Sequence, residues 1–153
     1  MADKERLAYL RAIKSYITLL SRLTGQAVRE EQLCSLDETR KLKDQAAGMS
    51  PVNKKTFEVS PAELRSDRFT HFVQRLHKAN SSPIYIWVDA TNQCGALQIP
   101  GITAFNFLFD FSNVPGGTVV LLAVNLEDRL LLDIDSDTIE LETQGNSWPK
   151  VIY

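Results

Sequence analysis

The side chains able to do covalent or acid–base chemistry are few. The two histidines, His71 and His77, fall on one helical stretch about 120° apart, so they do not converge on a common substrate. Cys94, beside Gly95 and shortly after Asp89 and Asn92, is the one loop nucleophile, and no histidine has a spacing that would make it the base for that thiol. The chain has no phosphate loop, no dinucleotide-binding glycine pattern, no HExxH and no GxSxG. Asp133, Asp135 and Asp137 alternate like the opening of a calcium loop, but Thr138 stands where the turn glycine belongs and Gln144 where the bidentate glutamate belongs. These patterns predict a protein without an enzymatic site, a metal or a cofactor.

Charge is the stronger signal. Residues 1–80 hold 15 Lys and Arg against 10 Asp and Glu, net +5, whereas residues 81–153 hold Arg129 and Lys150 against nine acids, net −7. Either the halves attract each other or each offers its charge to a partner. The whole chain is at −2 with a pI near 5.7, and acids such as Glu30, Glu31, Asp37 and Asp44 interrupt the basic half; that balance disfavours nucleic acid as the partner.

The elements that position these groups read as follows. Asp3 as N-cap, a helical stripe over Leu7, Leu10, Ile13, Ile17 and Leu20, and Gly25 as stop predict a helix over residues 4–24, with Arg11, Lys14, Thr18 and Arg22 on its polar side. Ser35 with Glu38 makes a capping box that restarts a helix after a break near Cys34, and 49–59 reads as a connecting loop. Ser60-Pro61-Ala62-Glu63 is a sharp start for a third helix, whose apolar side is Leu64, Phe69, Phe72, Val73 and Leu76, ending at Asn80 to Pro83.

The period then changes to two. Ile84, Ile86 and Val88 alternate with Tyr85, Trp87 and Asp89, and after a loop over 92–101 the stretch Thr103 to Phe111 places Phe105, Phe107, Phe109 and Phe111 on one side of a predicted central strand. Strands over 118–124, 129–135 and 138–142 follow, with an edge strand at 151–153 after Pro149 as a sixth. The longest apolar run, Val119 to Val124, is far short of the roughly 18 residues of a membrane helix. The sum is one α+β domain, 1–153, with 1–80 mainly helical and 83–153 mainly strand: N-terminal helices packed on one face of a mostly antiparallel sheet of five to six strands. The first ten residues lack a signal peptide's layout and the cysteines lack a disulfide framework, which predicts a cytoplasmic protein with free thiols.

If Leu130, Leu132, Ile134, Ile139 and Leu141 face the helices, then Asp133, Asp135, Glu140 and Glu142 face outward, and a two-residue turn at Ser136-Asp137 sets Asp133 opposite Glu140. Like charges opposed across strands destabilise, so this hairpin reads as a surface for a basic partner, with Tyr85, Trp87, Asp89 and Asp110 on the same outer face.

A small, acidic α+β protein of this character resembles the immunity proteins of bacterial contact-dependent growth inhibition toxin systems. The likeness lies in general character and in no motif, so no residue role is carried over from it. It implies a protein that binds its own cell's toxin domain, often a basic nuclease, and blocks the active site by electrostatically steered association. The alternative is a cytoplasmic regulatory or nucleic-acid-associated protein acting through its basic helices, among them Arg11, Lys14 and Arg22.

Overall fold

The structure is a computed structural model that describes residues 2–49, 53–109, 117–135 and 137–153. Helix α1 spans Asp3–Thr24 and ends at Gly25, whose φ of 69° is the left-handed conformation a helix stop needs. Ala2, not Asp3, occupies the N-cap; Asp3 and Glu5 sit in the first turn, where carboxylates meet the positive end of the helix dipole. Helix α2 spans Leu36–Ala47, and the Ser35 hydroxyl accepts from the Glu38 N–H at 3.1 Å, as the capping pattern requires.

Strand β1, Lys54–Val59, lies where a connecting loop was expected. Only Phe57 and Val59 of its six residues turn toward the core, so it carries too little apolar alternation to stand out; its pairing with β6, far along the chain, makes it a strand. The Ser60–Glu63 capping box forms, with both reciprocal bonds at 3.3 Å, yet it opens only a single 3-10 turn over Glu63–Arg65. The long helix, α3 (Asp67–Ala79), has its own cap: the Ser66 hydroxyl accepts from the Phe69 N–H at 3.2 Å.

Strands β2 (Ile84–Trp87), β3 (Leu97–Ile99), β4 (Thr118–Ala123), β5 (Asp128–Ile134) and β6 (Ile139–Gly145), with the four-residue helix α4 (Thr91–Cys94) between β2 and β3, complete an antiparallel sheet in the order β1-β6-β5-β4-β2-β3. The domain is thus α+β, helices first. Four of the expected strands form, and the other two of the six are β1 and β3, the latter from the expected loop 92–101; 151–153 follows a 3-10 turn and stays irregular while Tyr153 stacks on Phe57 at 4.9 Å. Arg68 lies 4.1 Å from the centre of the Tyr153 ring and donates to the Tyr153 backbone oxygen at 3.0 Å.

The expected phenylalanine strand does not form. Residues Ile102–Ala104 are a 3-10 turn and the chain stays irregular through Phe109, while Asp110 and Phe111 lie outside the described residues. The burial still alternates: Phe105 and Phe107 are buried and Leu108 is exposed. What differs is the partner of the backbone. The Asn106 N–H donates to the Leu23 carbonyl at 2.7 Å and its side-chain amide to the Arg22 carbonyl at 3.1 Å, so this segment closes the open carbonyl end of α1 in place of joining the sheet. The rings nevertheless enter the core, with Phe107 edge-on to Phe105 and Phe69 at 4.8 and 5.2 Å.

That core lies between one face of the sheet and the pair α1 and α3, through Ile13, Tyr16, Leu20, Phe69, Phe72 and Leu76 among others. The second face is covered only in part. Leu42 and Ala46 of α2 pack there over Tyr85, Ala96 and Leu122, leaving the β4-β5-β6-β1 side open.

Two substitutions separate core filling from helix closure. Phe107→Ala should cost about 3–5 kcal/mol in urea denaturation, Asn106→Ala about 1 kcal/mol through the lost bond to α1, and Leu108→Ala less than about 0.5 kcal/mol. An Asn106 loss as large as that of Phe107 would contradict this division.

Candidate functional site

The strand register lays out the open face as three rows. Facing residues across antiparallel strands share a face, and the pairs Thr118↔Asp133, Asp133↔Glu140 and Glu140↔Glu58 place three carboxylates side by side on β5, β6 and β1. The next row runs Trp87, Val120, Leu131, Glu142, Thr56, and the third Tyr85, Leu122, Arg129, Gln144, Lys54. An acidic band therefore borders an apolar strip of three half-buried side chains, Trp87, Val120 and Leu131.

The predicted hairpin register is present: Ile134 pairs with Ile139, Leu132 with Leu141, and Asp133 with Glu140. Its neighbour Glu58 escaped the sequence reading because 49–59 looked like a loop; the period-two pattern Lys54, Thr56, Glu58 against Lys55, Phe57, Val59 is the signal that could have found it. Glu58, Asp133 and Glu140 are exposed, and among the described residues no ion pair involves any of them. The ion pairs that do occur, Arg29–Glu31, Arg40–Glu5 and Arg40–Asp37, lie within the first half of the chain, so no salt bridge among the described residues joins the basic half to the acidic half.

The remaining predicted contact residues divide. Glu142 is half-buried and already engaged: it accepts from Thr56 at 3.2 Å and from the Gln144 amide, whose oxygen in turn receives Arg129. Arg129 also donates to the Ala46 carbonyl at 3.4 Å, fixing the last turn of α2 on the sheet. Trp87 forms one wall of a hollow of about 240 Å³ shared with Lys43, Ala47, Val120 and Arg129. Tyr85 points to the same face but α2 buries it, which removes it from the open surface. Asp135 is exposed just past β5, with its N–H donated to the Thr138 carbonyl at 3.0 Å. Asp89 follows β2 and lines a different groove, against α1, and Asp110 lies outside the described residues.

The groups with catalytic potential do not assemble into one site. Cys94 is buried beneath α1, where the Tyr16 hydroxyl meets Thr91 Oγ1 at 3.1 Å and donates to the Gly95 carbonyl at 2.6 Å. Burial, then the carboxylate of Glu30, pushes the Cys94 thiol up; burial and Glu38 do the same to Cys34. Both are held as thiols, the less reactive form. His71 is exposed, and the Nδ1 of His77 is buried without a hydrogen-bond partner against Gly101. Among the described residues no group of three or more His, Cys, Asp or Glu could hold a metal ion, and no helix is long and apolar enough to cross a membrane.

Two measurements follow from this geometry. Glu140→Lys puts a cation between Glu58 and Asp133 and should raise stability by about 0.5–1 kcal/mol at low salt, fading as salt is added. Because the folded pKa of Cys94 is raised and the side chain is buried, its reaction with a disulfide reagent near neutral pH should be slower in the folded protein than in urea, and a faster folded reaction would refute the assignment.

Compared with known proteins, the chain matches no family model, no curated sequence and no solved structure.

Proposed function

We propose that the protein is a non-catalytic inhibitor that binds another protein, an immunity protein that neutralises a cognate bacterial toxin domain, with a basic nuclease as the class of toxin. The supporting observation is the row Glu58, Glu140 and Asp133, three exposed carboxylates abreast without a salt bridge among the described residues, beside the strip Trp87, Val120 and Leu131. Facing carboxylates cost a free protein stability, and a Lys or Arg laid between them turns each repulsion into attraction. A neighbouring apolar strip supplies what charge alone does not, a dry centre around which polar contacts set the register. The nuclease class rests on the sequence's resemblance to immunity proteins, and the acidic row supports it because an active site that grips phosphate is itself basic.

The test is growth protection and association kinetics with the toxin domain encoded beside this gene. Wild-type protein should rescue growth, and the triple variant Glu58→Lys, Asp133→Lys, Glu140→Lys should stay folded, fail to rescue and associate more slowly, with its dependence on ionic strength reduced or reversed. Neutral Gln and Asn versions should fall between. A charge-reversed protein that binds at the wild-type rate with the wild-type salt slope would end this reading.

A further inference from the structure

A second surface, distant in character from the acidic row, carries the opposite charge. A groove of about 640 Å³ runs between α1 and the turn after β2, with Arg11, Lys14 and Arg22 on one side and Asp89 and Phe109 across from them. Eleven residues of helix separate Arg11 from Arg22, so the cations span about 16 Å along a single helix face. Among the described residues no ion pair involves any of the three. The hydroxyls between them are turned inward, Ser15 donating to the Ala12 carbonyl at 3.1 Å and Thr18 to the Lys14 carbonyl at 3.0 Å.

The same face of α1 is also apolar where it should be wet. Leu7 and Leu10 are 53% and 57% exposed, and Leu108, the chain neighbour of the groove-lining Phe109, is 54% exposed. On a helical projection Leu7, Leu10, Arg11, Lys14 and Thr18 fall within an arc of about 100°, the width of a stripe made to be covered. Leucines exposed beside cations that form no ion pair among the described residues fit a surface that is itself apolar and acidic. A phosphate backbone would satisfy the cations, but it offers nothing to the leucines.

We propose that this groove and the exposed face of α1 beside it receive an acidic amphipathic helix of a partner protein, its apolar stripe seated on Leu7, Leu10, Leu108 and Phe109 and its carboxylates paired with Arg11, Lys14 and Arg22. The helix lies along α1 in the manner of helix-in-groove recognition, with anchors at every third or fourth residue. This docking is independent of the acidic sheet face, whose charge would repel the same element.

The experiment uses fluorescence anisotropy of the full chain with a labelled synthetic helix of about 16 residues, Leu on one stripe and Glu elsewhere, as the probe. Controls are the same peptide with Leu replaced by Ser, the same peptide with Glu replaced by Lys, and a short oligouridylate. The acidic peptide should bind with a Kd on the order of 10 μM, and the triple variant Arg11→Ala, Lys14→Ala, Arg22→Ala should weaken it about tenfold or more. Leu7→Ser with Leu10→Ser should weaken it about fivefold with the circular dichroism spectrum unchanged; both side chains are exposed, so this pair carries the test if the triple variant misfolds. Charge reversal at Glu58, Asp133 and Glu140 should leave this binding unaltered, so its outcome is separate from that of toxin neutralisation. Absence of binding to the acidic peptide, equal binding of its Ser version, or tighter binding of oligouridylate would each overturn the proposal.

Discussion

A carboxylate shut off from water holds one corner of the molecule together. Asp128 is fully buried; one of its oxygens accepts the backbone N–H groups of Ser147 and Trp148 at 2.8 and 2.9 Å, and the other accepts the Asn80 amide at 2.8 Å. A bare buried charge would be very costly, and three donors offset that cost only if the end of α3, the start of β5 and the chain after β6 all arrive together. Trp148, also fully buried, then donates its indole N–H to the Leu76 carbonyl at 3.0 Å. Gly145 passes so close that a Cβ would lie 2.1 Å from the Glu127 carbonyl, and at a φ of 127° the position admits little but glycine. Its N–H bonds the Asn53 carbonyl at 3.1 Å and so starts β1 on the edge of β6.

The acidic row depends on that corner. The register of β5 against β6 sets Asp133 beside Glu140, and the register of β1 against β6 adds Glu58; a slip of one residue in either would send these carboxylates into the core and the leucines to water. Repulsion within the row is thus imposed by the core on the other side of the same strands. Burying Leu130, Leu132, Ile139 and Leu141 gives several kilocalories per mole, against a few tenths to about one for each facing carboxylate pair, so packing decides and the surface bears the strain.

Charge on the molecule is separated and not cancelled. The cations of α1 and the carboxylates of the sheet belong to different surfaces, and salt bridges among the described residues do not connect them. Such an arrangement gives up little stability, because exposed ion pairs contribute little, and it leaves two surface fields of opposite sign.

Much was decided by short-range pattern. Gly25 ended α1, Ser35 capped α2 and the alternation of 129–135 with 138–142 set a hairpin register, each because the deciding contacts lie within a few residues of chain. The sequence also determined that Phe105 and Phe107 are buried and that Asp133, Glu140 and Glu142 share the outer face of β5 and β6. Only tertiary structure decided that the phenylalanines sit on an irregular segment, since alternation reports where side chains point and says nothing of where the backbone finds its hydrogen bonds; Asn106 found them at the end of α1. It alone decided that Lys54–Val59 is a strand bringing Glu58 into the acidic row, and that α2 covers Tyr85 while leaving Trp87 at the border. These outcomes join residues far apart in the chain, where packing against the finished sheet outweighs local preference.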